Sequence, residues 1–207
     1  MSVVRARLAC MTKIESVRSV DALVRAVSEG EPVEYLYFWG HTPRRDGSLG
    51  RSCLSQWWPS PFTVDGVTYA SAEHWMMAAK ARLFADADAE RAILAARTPT
   101  EAKKAGRGVR GFDEAAWAQE RFEIVVRGSV HKFTSDPALR EFLTGTGRQV
   151  LVEASPLDRV WGVGLAADDP LILDPARWRG PNLLGFALME ARALLSSRCD
   201  VGEGGRG

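Results

Sequence analysis

The stretch "SAEHWMMAAKA", residues 71–81, places an acid, an imidazole and an amine in an otherwise apolar helix-forming segment. Glu73 and Lys80 are seven residues apart, so in a helix they share one stripe and lie roughly 10 Å apart along the axis. That distance is too long for a routine ion pair, but both side chains could reach one ligand lying between them, above Met76 and Met77. A structural interpretation stays open, because helix dipoles favour an acid in the first turn and lysine can extend its charge from an apolar face.

A second candidate stretch is "EASPLDRVWGVGL", residues 153–165, which reads as an irregular loop with glycines. Asp158 lies there between a proline and Trp161. Cleavage of a sugar–base bond builds positive charge on the sugar, which a carboxylate stabilises, and an aromatic face can hold the base. The alternative is a turn-forming aspartate after proline, which is common.

The elements that must position these residues follow from periodicity and capping signals. Ser71, Thr98 and Asp113 are the predicted N-caps of the helices that follow them. Together they predict an α+β fold, a predominantly helical single domain with short strands. The predicted elements are a helix over 16–29, a strand within 33–40, a long loop over 41–61, a hairpin over 62–69 turning at Asp65-Gly66, helices over 71–85, 87–96, 99–106 and 114–132, a short helix within 135–147, a strand over 149–154 and a final helix over 182–195.

Composition excludes several classes of protein. The chain has 207 residues, a net charge of +1 and 46% apolar residues, which is typical of a globular domain that does not wrap nucleic acid by bulk charge. Its three cysteines are far apart, and His41, His74 and His131 are not at metal-ligand spacing, so neither a disulfide framework nor a metal site is predicted. No apolar run is long enough for a membrane span, and we expect a cytoplasmic protein.

The run "GRGVRG", residues 106–111, matches the letters of a dinucleotide-binding fingerprint but lacks its context. That fingerprint follows a strand and opens a helix, whereas here a predicted helix precedes it. We therefore interpret the run as a turn between helices. Arg107 and Arg110 within it could still contact phosphates, since arginine binds them with a bidentate fork.

Taken together, these motifs resemble the NADAR family, also called YbiA-like, over about residues 35–196. With this resemblance, the predicted division is an N-terminal extension with a helix (1–30), a catalytic domain (31–196) and a tail (197–207) whose composition predicts disorder. The matching stretches are "FWG", "SQWWPSPFTVDGVTYASAEHWMMAAKARLF", "ILAARTPTEAKKAGR", "GFDEAAWAQERFEIVVRG", "HKFTSDPALREFLTGTG", "LVEASPLDRVWGVGL" and "DPARWRGPNLLGFALMEAR".

The resemblance implies hydrolysis of N-glycosidic bonds without a metal or cofactor. It implies a substrate that is either ADP-ribosylated guanine, in a nucleotide or nucleic acid, or an early riboflavin-pathway intermediate from which ribose 5-phosphate is cleaved. Carried over by motif, Lys80 attacks the anomeric carbon and forms a Schiff base with the opened ribose, which requires an uncharged amine in an apolar pocket. Glu73 binds ribose hydroxyls or moves protons, and Asp158 steadies the cationic sugar or positions water.

Five further residues are predicted to bind substrate: Trp117, Trp161, His74, Arg107 and Asn182. Each has a structural alternative, notably a core role for Trp117 and a helix cap for Asn182. A binding module that recognises ADP-ribose or nucleic acid without catalysis is the remaining alternative for the whole domain. The sequence leaves open the oligomeric state, the form of the substrate and the role of the loop over 41–56.

Overall fold

The computed structural model describes residue 14 and residues 16–199, with side chains as far as residue 197. Within this part of the chain there are seven α-helices, four short strands and three 3-10 turns, which confirms the predicted helix-dominated α+β fold. In chain order the elements are α1 (Val20–Ser28), β1 (Tyr35–Phe38), a 3-10 turn (Arg51–Leu54), β2 (Phe62–Val64), β3 (Val67–Tyr69), α2 (Ala72–Leu83), α3 (Ala87–Leu94), α4 (Pro99–Arg107), α5 (Glu114–Ser135), α6 (Pro137–Gly145), β4 (Val150–Glu153), 3-10 turns at Pro170–Leu173 and Pro175–Arg177, and α7 (Leu183–Cys199).

Side-chain caps explain where most of the helices begin. Thr98 caps α4 by accepting the amide of Glu101, and Asp113 caps α5 by accepting the amide of Ala116, as the sequence predicted. Ser71 does precede α2, but its side chain makes no capping bond. Its hydroxyl is instead 2.8 Å from Nδ1 of His74, so the predicted cap at this helix is wrong.

The strands form two small sheets. β1 and β4 pair in parallel, with Phe38 opposite Glu153 at their carboxyl ends. β2 and β3 form the predicted hairpin, in which Asp65 and Gly66 have φ angles of 50° and 79°. Two positive φ angles are what a two-residue turn of this kind requires. The carboxyl ends of β1 and β4 meet at one edge, where ligands bind in many sheets of parallel strands.

The predicted domain limits are only partly covered by the described residues. The first helix begins at Val20, inside the predicted range of 16–29, and α7 continues to Cys199, three residues into the range predicted as a disordered tail. Residues 1–13, 15 and 200–207 lie outside the described residues. Of the helices that are described, none is both long enough and apolar enough to cross a membrane.

Helix α5 approaches α2 closely because residue 128 has no side chain. An added Cβ at Gly128 would lie 2.3 Å from Cδ1 of Trp75, whose indole is fixed by a 2.8 Å hydrogen bond to the carbonyl of Ile124. We therefore expect Gly128→Ala to lower the free energy of unfolding by about 1–3 kcal/mol, as overpacking of a rigid core does. Denaturant unfolding monitored by tryptophan fluorescence measures the change.

Gly145→Ala is the matched control for this prediction. Residue 145 ends α6, and nothing lies within 4 Å of a Cβ built there. An added methyl group should therefore leave stability unchanged or raise it slightly. Equal effects of the two substitutions would contradict the close packing of α5 on α2.

Candidate active site

One cavity collects most of the residues that the sequence analysis selected. Its volume is about 150 Å³, and it lies where α2, α4 and α5 face the carboxyl end of β4 and the loop that follows. Pockets that enclose a drug-sized ligand are larger, roughly 300–1,000 Å³, so this cavity suits a sugar-sized part of a ligand. It is lined by Ser55, Gln56, Trp57, Glu73, Met76, Met77, Lys80, Lys103, Gly106, Arg107, Trp117, Glu153, Asp158, Trp161 and Leu184.

Glu73 lies in the first turn of α2 with only 2% of its surface exposed. Its backbone amide donates to the carbonyl of Gln56, which ties the helix to the preceding loop. Burial raises the pKa of Glu73 to about 7, against the opposing effects of Lys103 and of a hydrogen bond from Trp57. Among the described residues, Oε1 has no hydrogen-bond partner. A carboxyl group with a pKa near neutrality can both accept and donate protons.

Lys80 lies on the same stripe of α2 as Glu73, as predicted, and is half-buried. Its Nζ donates to the carbonyl of Gly106 at 2.9 Å and lies 4.0 Å from the ring centre of Phe112 and 5.8 Å from that of Trp117. Burial lowers the pKa of Lys80, although Glu114 opposes the shift. The amine is therefore easier to deprotonate than a solvated lysine, which is the condition for a nucleophile.

Lys80 stands apart from the acids although it lines the same cavity. Among the described residues, Lys80 forms no ion pair with Glu73 or Asp158. The amine and the two carboxyl groups therefore line one cavity without pairing with each other. The sequence predicted this separation from the seven-residue spacing of Glu73 and Lys80.

Asp158 serves as a turn-forming residue and also lines the cavity. Its Oδ1 accepts the backbone amides of Val160 and Trp161 at 2.9 and 2.7 Å. The two interpretations of this residue are therefore compatible, because these bonds occupy one oxygen. Its negative charge contributes to the raised pKa values of two other acids, Glu73 and Glu153.

The aromatic and cationic residues predicted to bind substrate are split between this cavity and other places. Trp117, Trp161 and Arg107 line it. Trp117 is also buried, so its core role and its place in the wall coexist. Arg110 does not join Arg107, because its guanidinium is paired with Asp86 and Asp88 beside α3. Of the two arginines in "GRGVRG", only Arg107 is placed to meet a ligand in the cavity.

His74 and Asn182 do not line the cavity, so their contact with substrate stays a prediction. Both nitrogens of the buried His74 ring are engaged, Nδ1 with Ser71 and Nε2 with the carbonyl of Ala96 at 3.2 Å. Burial lowers the pKa of His74, so the neutral ring is favoured. The side chain of Asn182 neither caps α7 nor reaches the cavity, since it bonds the amide of Glu153 and the carbonyl of Leu151 in β4.

Several cavity residues were missed by the sequence analysis, above all Glu153, Lys103 and Trp57. Glu153 ends β4, and a position at the carboxyl end of a parallel strand was the available sign of a site. Lys103 lies one helical turn before Arg107 on α4, with Nζ 5.7 Å from the ring centre of Trp57. These two cations give one side of the cavity a positive charge.

A buried lysine fixes the wall that the long loop contributes. Lys132 of α5 is 1% exposed, and its Nζ donates to the carbonyls of Cys53 and Ser55 at 2.6 and 2.8 Å. Burial lowers the pKa of Lys132 to about 7. The end of the loop over 41–56 therefore has a structural role, because it is held to α5 and presents Ser55 to the cavity.

The part of the chain that matches known proteins contains all the residues that line the cavity. The family model described as the NADAR domain matches residues 37–196. The chain belongs to the NADAR family. A NADAR relative, N-glycosidase R617 of Acanthamoeba polyphaga mimivirus, is 37% identical over 167 residues, covering 78% of this chain and 96% of that relative. The predicted family is confirmed, and so is the predicted enzyme class, a hydrolase of N-glycosyl bonds.

Two other comparisons extend this result. The NMR structure of the Escherichia coli protein YbiA has a TM-score of 0.65 at 23% identity, covering 85% of this chain and 94% of that one, which supports the NADAR fold. The chloroplastic riboflavin biosynthesis protein PYRR of Zea mays is 31% identical over 153 residues, covering 67% of this chain but only 22% of that relative. In the described part of the NADAR chain, no group of three His, Cys, Asp or Glu side chains has an arrangement that could hold a metal ion.

Proposed function

We propose that this protein is an N-glycosidase that removes ADP-ribose from ADP-ribosylated guanine bases, in nucleotides or nucleic acid. The observation that carries the proposal is one sugar-sized cavity lined by a half-buried amine, Lys80, and by acidic groups that include Glu73 and Asp158. Electrophilic sugar chemistry needs a nucleophile, a proton carrier and a negative charge near the anomeric carbon, and the cavity contains a candidate for each.

In the proposed reaction, the neutral amine of Lys80 attacks C1 of the ribose as the bond from C1 to the base nitrogen breaks. The ring then opens to a Schiff base between C1 and Nζ, with Glu73 moving the proton to the ring oxygen. Water adds to C1 and releases the sugar and the free amine. Asp158 stabilises the positive charge on the sugar carbon in both halves of the reaction.

Two groups of lining residues favour a ligand that is larger than a ribose. Trp117 and Trp161 offer aromatic faces for a base, and Lys103 and Arg107 offer positive charge for phosphates at the same cavity. Since about 150 Å³ cannot enclose a whole ADP-ribosylated nucleotide, the sugar at the reacting bond occupies the cavity and the remaining groups extend outward.

The second candidate substrate is a phosphorylated intermediate of early riboflavin synthesis, which would release ribose 5-phosphate. The likeness to part of the Zea mays riboflavin biosynthesis protein favours it. The same groups would act on C1, because both substrates carry a ribosyl–nitrogen bond. The substrates differ in the base and in the number of phosphates, which the positive side of the cavity would contact.

A direct assay discriminates between these proposals. The purified protein is incubated separately with ADP-ribosylated guanosine and with the phosphorylated pyrimidine intermediates, and products are identified by mass spectrometry. We expect ADP-ribose and guanosine from the first substrate, with a kcat/KM at least tenfold above that for the second. Ribose 5-phosphate as the faster product would reverse the assignment, and calorimetric binding without any product would favour a binding module.

A further inference from the structure

Glu153 is a third acid that lines the cavity beside Glu73 and Asp158. It is the last residue of β4, and its backbone is held from two sides. Its amide donates to Oδ1 of Asn182 at 3.0 Å, and its carbonyl accepts the amide of Val163 at 3.0 Å. The side chain therefore reaches the cavity from a backbone position that cannot easily move.

One oxygen of the half-buried Glu153 side chain lacks a hydrogen-bond partner in the described part of the chain. Its Oε2 is buried, and none of the described residues donates a hydrogen bond to it. Glu73 likewise has one oxygen without a partner among these residues, whereas Asp158 accepts two backbone amides. An ionised carboxylate is unfavourable when one of its oxygens is buried and accepts no hydrogen bond, so the surroundings of Glu153 favour its protonated form.

Burial and the neighbouring charges together raise the pKa of Glu153. Burial raises the pKa of Glu153 to about 8, and the negative charges of Asp158 and Glu73 add to this effect. Lys103 on α4 opposes them. At neutral pH the group therefore enters the reaction with its proton, as a general acid must.

We propose that Glu153 is the general acid of this N-glycosidase, delivering its proton to the nitrogen of the departing base. This inference rests on the proposed function of the same site. When the C1–N bond breaks, its electron pair stays on the base nitrogen, which takes the proton from Glu153. The carboxylate that remains then accepts a proton from the water that adds to C1, so the acid is restored and the net change is addition of water.

The test is Glu153→Gln, which keeps the shape of the side chain but has no acidic proton. We expect kcat to fall about 10²–10⁴-fold, the usual contribution of general acid catalysis, with little change in KM. Wild-type kcat should decline at alkaline pH as Glu153 loses its proton, and the variant should lack that decline. A purely structural role would instead raise KM or lower stability and leave the shape of the pH profile unchanged.

Glu123→Gln is the matched control, because Glu123 is an exposed acid on α5. Its kcat should remain within about twofold of wild type, as expected for a surface substitution. A Glu153→Gln variant with similarly unchanged kcat, or one that keeps the alkaline decline, would overturn the proposal.

A second measurement does not depend on the substrate. Infrared difference spectroscopy of wild type against Glu153→Gln at pH 7 should show a protonated carboxyl band that the variant lacks. A carboxylate band in its place would overturn the role of Glu153 even if the enzyme is active. If Glu153 is protonated but the protein cleaves none of the tested N-glycosides, the result contradicts the proposed function and not the protonation state inferred for Glu153.

Discussion

Lys80→Met should lower kcat by at least about 10³-fold, because removal of a covalent nucleophile removes the reaction path that depends on it. Methionine matches the length and apolar stem of lysine, so it can stay between Gly106, Phe112 and Trp117 while the amine is lost. Borohydride added during turnover of ADP-ribosylated guanosine should reduce the Schiff base in wild type to a stable adduct. Peptide mapping of that adduct should identify Lys80, and Lys80→Met should give none.

Two other lysines make this experiment specific. Lys103 lines the same cavity, and Lys104 beside it is exposed on α4. Lys104→Met is the control and should retain both turnover and adduct formation. An adduct on Lys103 would show that the wrong amine was chosen, and turnover that persists in Lys80→Met would exclude the lysine mechanism. Thermal unfolding close to that of wild type would show that neither result comes from misfolding.

Asp158→Asn should lower kcat by about 10²–10³-fold, the size of effect seen when one preorganised electrostatic group is removed from an active site. Asparagine retains an Oδ1 that can accept the amides of Val160 and Trp161, so the turn is preserved while the charge disappears. Asp158→Ala loses both the turn and the charge. We expect Asp158→Ala to be less stable than Asp158→Asn, with catalytic activity at least as low, as measured by denaturant unfolding and steady-state kinetics.

The same substitution should also move the pH profile. The negative charge of Asp158 contributes to raising the pKa values of Glu73, about 7, and Glu153, about 8. Removal of that charge lowers both pKa values, so each acid loses its proton at a lower pH than in wild type. The alkaline decline of the residual kcat in Asp158→Asn should therefore begin at lower pH. A decline that is unchanged or shifted to higher pH would contradict the electrostatic coupling of the three acids.

Local features of the fold were predictable because they depend on neighbours along the chain. Asp113 caps its helix and Asp65-Gly66 turns its hairpin, since both involve only a few adjacent residues. The common stripe of Glu73 and Lys80 follows from helical geometry alone. The capping role predicted for Ser71 was wrong because its hydroxyl is hydrogen-bonded to the ring of His74, three residues later in the chain.

What the sequence by itself determined is therefore the order of the elements, the family and the residue types that the chemistry requires. The tertiary structure alone decided which of those side chains meet and how strongly each is desolvated. Glu153 and Lys103 join Glu73 only because the fold brings the end of β4 and one face of α4 to the cavity that α2 lines, whereas the side chain of Asn182 bonds the backbone of β4. Proton affinity in this cavity depends on burial and on charges distant in sequence, and no spacing along the chain records either of these quantities.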